Sequence, residues 1–209
     1  TFKWYNKDMI KKRIFIAINL SKQIKKQLFD WELKLEQEYK LGEFRGKNIN
    51  WVIKDNLHIT LVFIGYATDD EIYDIAKKMK SVAKKHQPFF INLEKIILGP
   101  ASSINRPLKS KRMFWVEGEK SQELAKLQND LEGALNMNDN YQKELYVFNP
   151  HITLARFKSS EVVKRIKEQG IVDKKISYQI SVDNIELMQS NLSRRGPEYI
   201  VLESIELGK

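Results

Sequence analysis

Two of the three histidines in this chain stand in the same tetrapeptide. His58-Ile59-Thr60-Leu61 and His151-Ile152-Thr153-Leu154 lie 93 positions apart. Imidazole titrates nearest neutrality of all side chains, so a pair of them can divide the work of general acid and general base. The threonine two places on adds a neutral hydroxyl that can donate to a phosphate oxygen. A lone His-x-Thr carries little weight, but two among three histidines arise by chance on the order of one time in a hundred. The repeat points to a duplicated unit whose two copies meet around one site. His86 lies in Lys84-Lys85-His86-Gln87-Pro88, which reads as a solvated helix end, and it is assigned no chemistry.

On a strand, side chains two apart point to one face. His58 and Thr60 therefore share a face, and Leu57, Ile59, Leu61 and Phe63 share the other. His151 and Thr153 likewise face away from Ile152 and Leu154. Two such strands related by a pseudo-twofold would bring two imidazoles and two hydroxyls to one phosphate ester. One neutral ring takes a proton from water; the other, protonated, gives one to the departing oxygen. Each group is worth about a hundred- to ten-thousand-fold in rate. The motifs alone do not say which ring is which. No cofactor is required, and no metal is suggested: there is no HExxH spacing and no carboxylate cluster around the motifs.

The composition narrows the partner. Hydrophobic residues make up 42% of the 209 positions and aromatics 11%, which argues against disorder. The absence of cysteine excludes disulfides, thiol nucleophiles and cysteine-ligated metals, and suits a reducing cytoplasm. No apolar stretch is long enough to cross a membrane, and no signal-peptide pattern opens the chain. Thr1 in place of Met suggests a processed or trimmed start. The net charge of +9 and the pI near 9.5 favour polyanionic partners, nucleic acid first.

The elements that must position the motifs follow from periodicity and caps. Lys12 to Asn19 is a strand with Ile14, Ile16 and Ile18 towards a core and Phe15, Ala17 and Asn19 towards a cleft. Ser21 caps a helix whose stripe is Ile24, Leu28, Trp31, Leu35 and Tyr39. Ile49 to Lys54 and Leu57 to Ile64 are strands. Thr68-Asp69-Asp70-Glu71 is a capping box for a helix to about Lys85. Phe89 to Leu98 and Met113 to Glu117 are strands on either side of a polar loop from Gly99 to Arg112. Ser121 caps a third helix to about Asn136, and Asn138-Asp139-Asn140 is a turn. Tyr146-Val147-Phe148 leads into the second motif. Ser160 caps a fourth helix that Gly170 ends. Lys175 to Ser181, Asn184 to Gln189 and Tyr199 to Leu207 are strands, with Ser190 to Pro197 as a loop. The order is a twice-given α+β pattern: a duplicated two-lobed arrangement of antiparallel sheets with outer helices and a central active-site groove. Residues 1–11 form an N-terminal arm, and 12–209 form a single domain of two pseudo-symmetric lobes.

With the double motif in duplicated α+β halves, the chain resembles the 2H phosphoesterase superfamily. Within it, the chain is similar to the bacterial and archaeal RNA 2',3'-cyclic phosphodiesterases, also called 2'-5' RNA ligases. The resemblance runs through Arg13-Ile14-Phe15-Ile16-Ala17-Ile18, Trp51-Val52, Phe63-Ile64-Gly65, Pro150 to Arg156, Ile185 to Ser190 and Gly196-Pro197-Glu198-Tyr199. It implies hydrolysis of a 2',3'-cyclic phosphate at an RNA end to a 2'-phosphomonoester, with 2'-5' ligation as the reverse reaction. It also implies that His58 is the proton donor, His151 the proton acceptor, and that Thr60 and Thr153 hold the phosphate. The protein is expected to act as a monomer on RNA ends, away from membranes.

Three further residues are candidates for substrate binding. Arg156 could neutralise phosphate charge, although simple alternation puts it on the face opposite His151, so that it needs a bulge or a strand end to reach. Phe15 and Tyr199 could stack a base or simply pack. The basic loops Arg106 to Arg112 and Ser193 to Arg195 could track an RNA backbone. Competing functions are a 2',5'-oligonucleotide or ADP-ribose cyclic phosphodiesterase with the same site, and an RNA-binding module without turnover.

Overall fold

A computed structural model of the protein describes residues 10–99, 112–136, 148–171, 173–193 and 196–209. The arm up to Asp8 and Met9, the loop positions 100–111, the turn at 138–140, the lead-in Tyr146-Val147 and Arg194-Arg195 lie outside them. The strands are β1 (Lys12–Asn19), β2 (Ile49–Trp51), β3 (His58–Ala67), β4 (Phe89–Gly99), β5 (Met113–Gly118), β6 (His151–Phe157), β7 (Lys174–Val182), β8 (Asn184–Ser193) and β9 (Gly196–Glu206). The helices are α1 (Lys22–Glu38), α2 (Asp69–Ala83), α3 (Gln122–Leu135) and α4 (Ser160–Glu168). None of them is long and apolar enough to cross a membrane.

All nine strands join one antiparallel sheet in the order β7-β4-β5-β6-β3-β1-β8-β9, with β2 added on β6. The order is a palindrome in kind. The halves β3-β1-β8-β9 and β6-β5-β4-β7 run outward from a seam where Ile59 pairs with Ile152. These are the same residue of the two tetrapeptides, so the pseudo-twofold axis passes between them.

One face of the sheet is covered. Ile14, Ile16 and Ile18 of β1 and Ile59, Leu61 and Val62 of β3 join one core with Leu28 and Leu35 of α1, Met79 of α2, Leu127 and Leu131 of α3 and Ile166 of α4. The other face of β1 carries Phe15 and Ala17, which form a separate small cluster with Met188 and Tyr199. The helix starts follow the caps. The Ser21, Thr68 and Ser121 hydroxyls accept from Ile24, Glu71 and Leu124 N–H, and Glu71 closes the capping box on Thr68 N–H at 2.7 Å.

Several expectations need correction. The fourth helix is capped by Ser159, one residue earlier than Ser160. The strand from Ile49 stops at Trp51, and a short 3-10 turn, Lys54–Asn56, leads into the first motif. Ser190 to Pro197 is not a loop: Ser190 pairs with Tyr199 and Ser193 with Gly196, so β8 and β9 form a long hairpin. Gly196 supplies the positive φ of 113° at its turn. His86 is not solvated. It is only 6% exposed, and its Nε2 bonds Asp130 Oδ2 of α3 at 2.9 Å, tying the end of α2 to its neighbour.

Candidate active site

The two motif strands are bent at the same place. In the β1–β3 ladder Ile16 faces Val62 and Ala17 faces Thr60, which leaves Leu61 as an extra residue. In the β5–β6 ladder Phe114 faces Ala155 and Trp115 faces Thr153, which leaves Leu154 as the extra residue. Each is a β-bulge at the leucine of His-Ile-Thr-Leu, and a bulge resets the alternation of faces beyond it. Leu61 and Val62, like Leu154 and Ala155, therefore both point into the core. The next residue turns back to the open face: Phe63 after the first motif, Arg156 after the second. Phe63 is 49% exposed and its ring lies 6.2 Å from that of Phe15, so it does not belong with the core-facing residues of β3. Arg156 shares the face of His151 by the bulge that simple alternation lacks. Its charge acts on both His58 and His151.

Both imidazoles are anchored alike. His58 Nδ1 lies 2.7 Å from the Asn56 carbonyl, and His151 Nδ1 lies 2.8 Å from the Asn149 carbonyl. A carbonyl only accepts, so Nδ1 carries the hydrogen in each ring and Nε2 is the free basic nitrogen. His58 Nε2 is 3.0 Å from Thr60 Oγ1, whose hydroxyl donates to it while the ring is neutral. Asn56 also donates through Nδ2 to Pro197 O at 2.6 Å, fastening the start of β9 beside the motif.

The walls differ. His58 stands perpendicular to Tyr199, with centroids 5.1 Å apart, and tilted against Phe15 at 5.0 Å. Phe15 faces the site as expected, but at 4% exposure, between His58, Phe63 and Tyr199, it has no free ring face for a base. It holds the His58 ring. Tyr199 is half-buried with its ring edge-on to Phe15. His151 instead lies flat on Trp115, with centroids 3.7 Å apart and planes 21° apart. Trp115 in turn lies on Gly99. A Cβ there would stand 2.1 Å from the indole, so only glycine leaves room for it.

Burial sets the charge of both rings. His58 is pushed down to about 4, chiefly by burial; the Asn56 carbonyl opposes this, and the charges of Lys25, His151 and Arg156 add to it. His151 is also lowered, first by burial, against the pull of the Asn149 carbonyl, with Arg156 contributing. Without an anion both imidazoles are neutral at pH 7. Beside His58, Lys25 is lowered and Glu186 raised, each first by burial, and the Lys25 ammonium donates to the Asp55 carbonyl at 2.5 Å. Among the described residues no group of three or more His, Asp or Glu could hold a metal ion.

A family model described as the 2'-5' RNA ligase superfamily matches residues 32–194. The chain belongs to that superfamily. It is 28% identical over 192 residues to a Thermotoga maritima protein named RNA 2',3'-cyclic phosphodiesterase, covering 91% of this chain and 92% of that one. It is 31% identical over 166 residues to an Aeropyrum pernix protein of the same name, covering 77% and 88%. Among solved structures, one from Thermus thermophilus shares the fold at a TM-score of 0.73 and 21% identity, covering 94% of this chain and 98% of that one. E. coli LigT complexed with 3'-AMP shares it at 0.69 and 23%, covering 96% and 100%.

Sequence reasoning missed Trp115, the two anchoring carbonyls and the orientation of Phe63. An asparagine two places before each histidine is a visible signal for the anchors. Trp115 leaves none, because its contact with His151 depends on which residues pair across two strands.

Proposed function

We propose that this superfamily member is a metal-independent phosphodiesterase that opens 2',3'-cyclic phosphate ends of RNA to 2'-phosphomonoesters. The observation that carries the reading is the matched anchoring of two imidazoles on one face. Each has Nδ1 fixed by a carbonyl and Nε2 left as the basic nitrogen, each is followed two places on by a threonine, and Arg156 stands within electrostatic reach of both. The names of the relatives at 28% and 31% identity supply the substrate class.

The chemistry follows from the protonation states. A water oxygen attacks phosphorus while His151 Nε2 takes its proton. The bond from phosphorus to the 3' oxygen breaks, and His58 gives that oxygen a proton. His58 must be charged when the substrate is bound, although burial keeps it neutral in the empty site. The phosphate anion reverses this by making the imidazolium the favoured form. Thr60 and Thr153 donate to the nonbridging oxygens, and Arg156 balances their charge. The same groups run the reverse reaction, 2'-5' ligation, by microscopic reversibility.

The test is incubation of a short RNA ending in a 2',3'-cyclic phosphate, with EDTA present, and identification of the end group. The expected result is a 2'-phosphate, with kcat lower by about a hundredfold or more in His58→Ala and in His151→Ala. A 3'-phosphate would reverse the leaving oxygen. No conversion by folded wild-type protein would overturn the reading in favour of 2',5'-linked or ADP-ribose substrates, or of RNA binding alone.

A further inference from the structure

Beyond Thr60 the open face of the first half carries a row of exposed groups that the proposed chemistry does not use. Phe63 pairs with Phe15 and Tyr66 with Arg13 in the β1–β3 ladder. β1 has no extra residue, so Arg13 lies on the same face as Phe15, and its charge acts on Tyr199 across that face. A second bulge, at Ile64, brings Tyr66 to the same side as Phe63. Phe63 is 49% exposed and Tyr66 67% exposed. Arg13 is exposed and has no ion-pair partner among the described residues. In the second half the residue equivalent to Phe63 is Arg156.

We infer that Phe63, Tyr66 and Arg13 form a subsite for single-stranded RNA that takes the nucleotide preceding the cyclic end. The spacing fits. Phe63 and Tyr66 face β1 residues two positions apart, about 7 Å along the sheet. One base between two rings needs twice the stacking step of about 3.4 Å. From His58, which pairs with Asn19, to Phe63 is about 13 Å along the ladder, which leaves room for the terminal nucleoside. The occupant is single-stranded because a base can enter between the rings only when it is unpaired. Arg13 then meets the phosphate that joins the two nucleotides, and the row is continuous with the histidine site. The inference rests on the proposed reaction for its register, and it predicts that chain length matters.

The experiment compares kcat/KM for a 2',3'-cyclic mononucleotide, a dinucleotide and a tetranucleotide with the same end. The wild type is expected to gain about tenfold at the second nucleotide and little after it. In the Phe63→Ala/Tyr66→Ala double variant the dinucleotide-to-mononucleotide ratio falls to within about twofold. A wild type with no gain, or a variant that keeps the gain, overturns the subsite. A second arm measures binding of a fluorescent single-stranded RNA with a non-cyclic 3'-phosphate. Weakening of about tenfold in the double variant supports the subsite even if no cyclic end is turned over, an outcome that defeats only the proposed reaction. Equal binding overturns the subsite. Arg13→Gln needs no aromatic change. It is expected to reduce the salt slope of binding by about one, and an unchanged slope counts against the phosphate contact.

Discussion

The half around His58 and the half around His151 use one strand design and two different settings. Both have the tetrapeptide, the carbonyl anchor on Nδ1 and the bulge at leucine. The neighbours across the ladder diverge. Thr60 faces Ala17, and Thr153 faces Trp115. Alanine leaves space that Phe15, Met188 and Tyr199 fill, so His58 meets ring edges and tilted faces. Tryptophan fills its own space, and His151 lies flat against it. Five residues past each histidine the first half has a benzyl group and the second a guanidinium. On the proposed reaction a symmetric frame would receive an asymmetric ligand, with the anionic phosphate towards Arg156 and the nucleosides towards the first half. A flat indole face also favours a cation above it, which suits the ring that gains a proton in the proposed reaction.

The comparison breaks most severely at Trp115. Trp115→Leu is expected to lower kcat about a hundredfold with a much smaller change in KM, because it frees the plane of His151. Trp115→Phe, which keeps a ring under the imidazole, should recover most of the loss. Nuclear magnetic resonance of the wild type supplies a check that needs no variant. The His151 ring protons should be shifted upfield by the indole, and those of His58 less so. Equal losses in both variants, with no such shift, would make Trp115 ordinary packing.

Arg156→Gln comes next, with an expected fall of about thirtyfold in kcat/KM from the loss of one charge-assisted contact. If Arg156 served only a structural ion pair, thermal stability would fall and kcat/KM would not.

The smallest effect, and the sharpest, is on pH. The proposed reaction needs one charged and one neutral imidazole. Burial lowers both in the free enzyme, His58 to about 4, so kcat/KM should decline as pH rises from the mildly acidic range. In the complex the phosphate raises the ring it faces. The alkaline limb of kcat should therefore lie about one pH unit or more above that of kcat/KM. The groups around the pair are Lys25 of α1 with Glu186 of β8 beside it, Arg156 of β6, Tyr199 of β9, and Glu117, which is opposite His151 and bridged to Lys95. Coincident profiles would mean that substrate charge does not set the protonation of the pair.

What can be read from the sequence is local. The capping box at Thr68, the two-faced pattern of Lys12 to Asn19 and the parity of His58 with Thr60 all depend on residues close together in the chain. What cannot be read depends on pairing. A bulge exists only relative to a partner strand, so unbroken alternation puts Phe63 in the core and Arg156 out of reach. The shared leucine of the two motifs gives no hint of it. Lys84 and Lys85 make His86 look solvated; its burial comes from α3, distant in sequence. The β8–β9 hairpin is hidden by Ser, Asn, Gly and Pro, which usually mark loops but here pair as strand residues up to the turn.

At the seam, Ile59 meets its own counterpart, Ile152, as a residue does across the axis of a twofold homodimer. Here that interface lies inside a single polypeptide. In a dimer of identical chains every substitution is made twice, so an indole or a guanidinium gained on one side appears on both. Covalent union removes that coupling. Trp115 can occupy in one half the position that Ala17 holds in the other, and Arg156 that of Phe63, because the two halves are written separately in one gene.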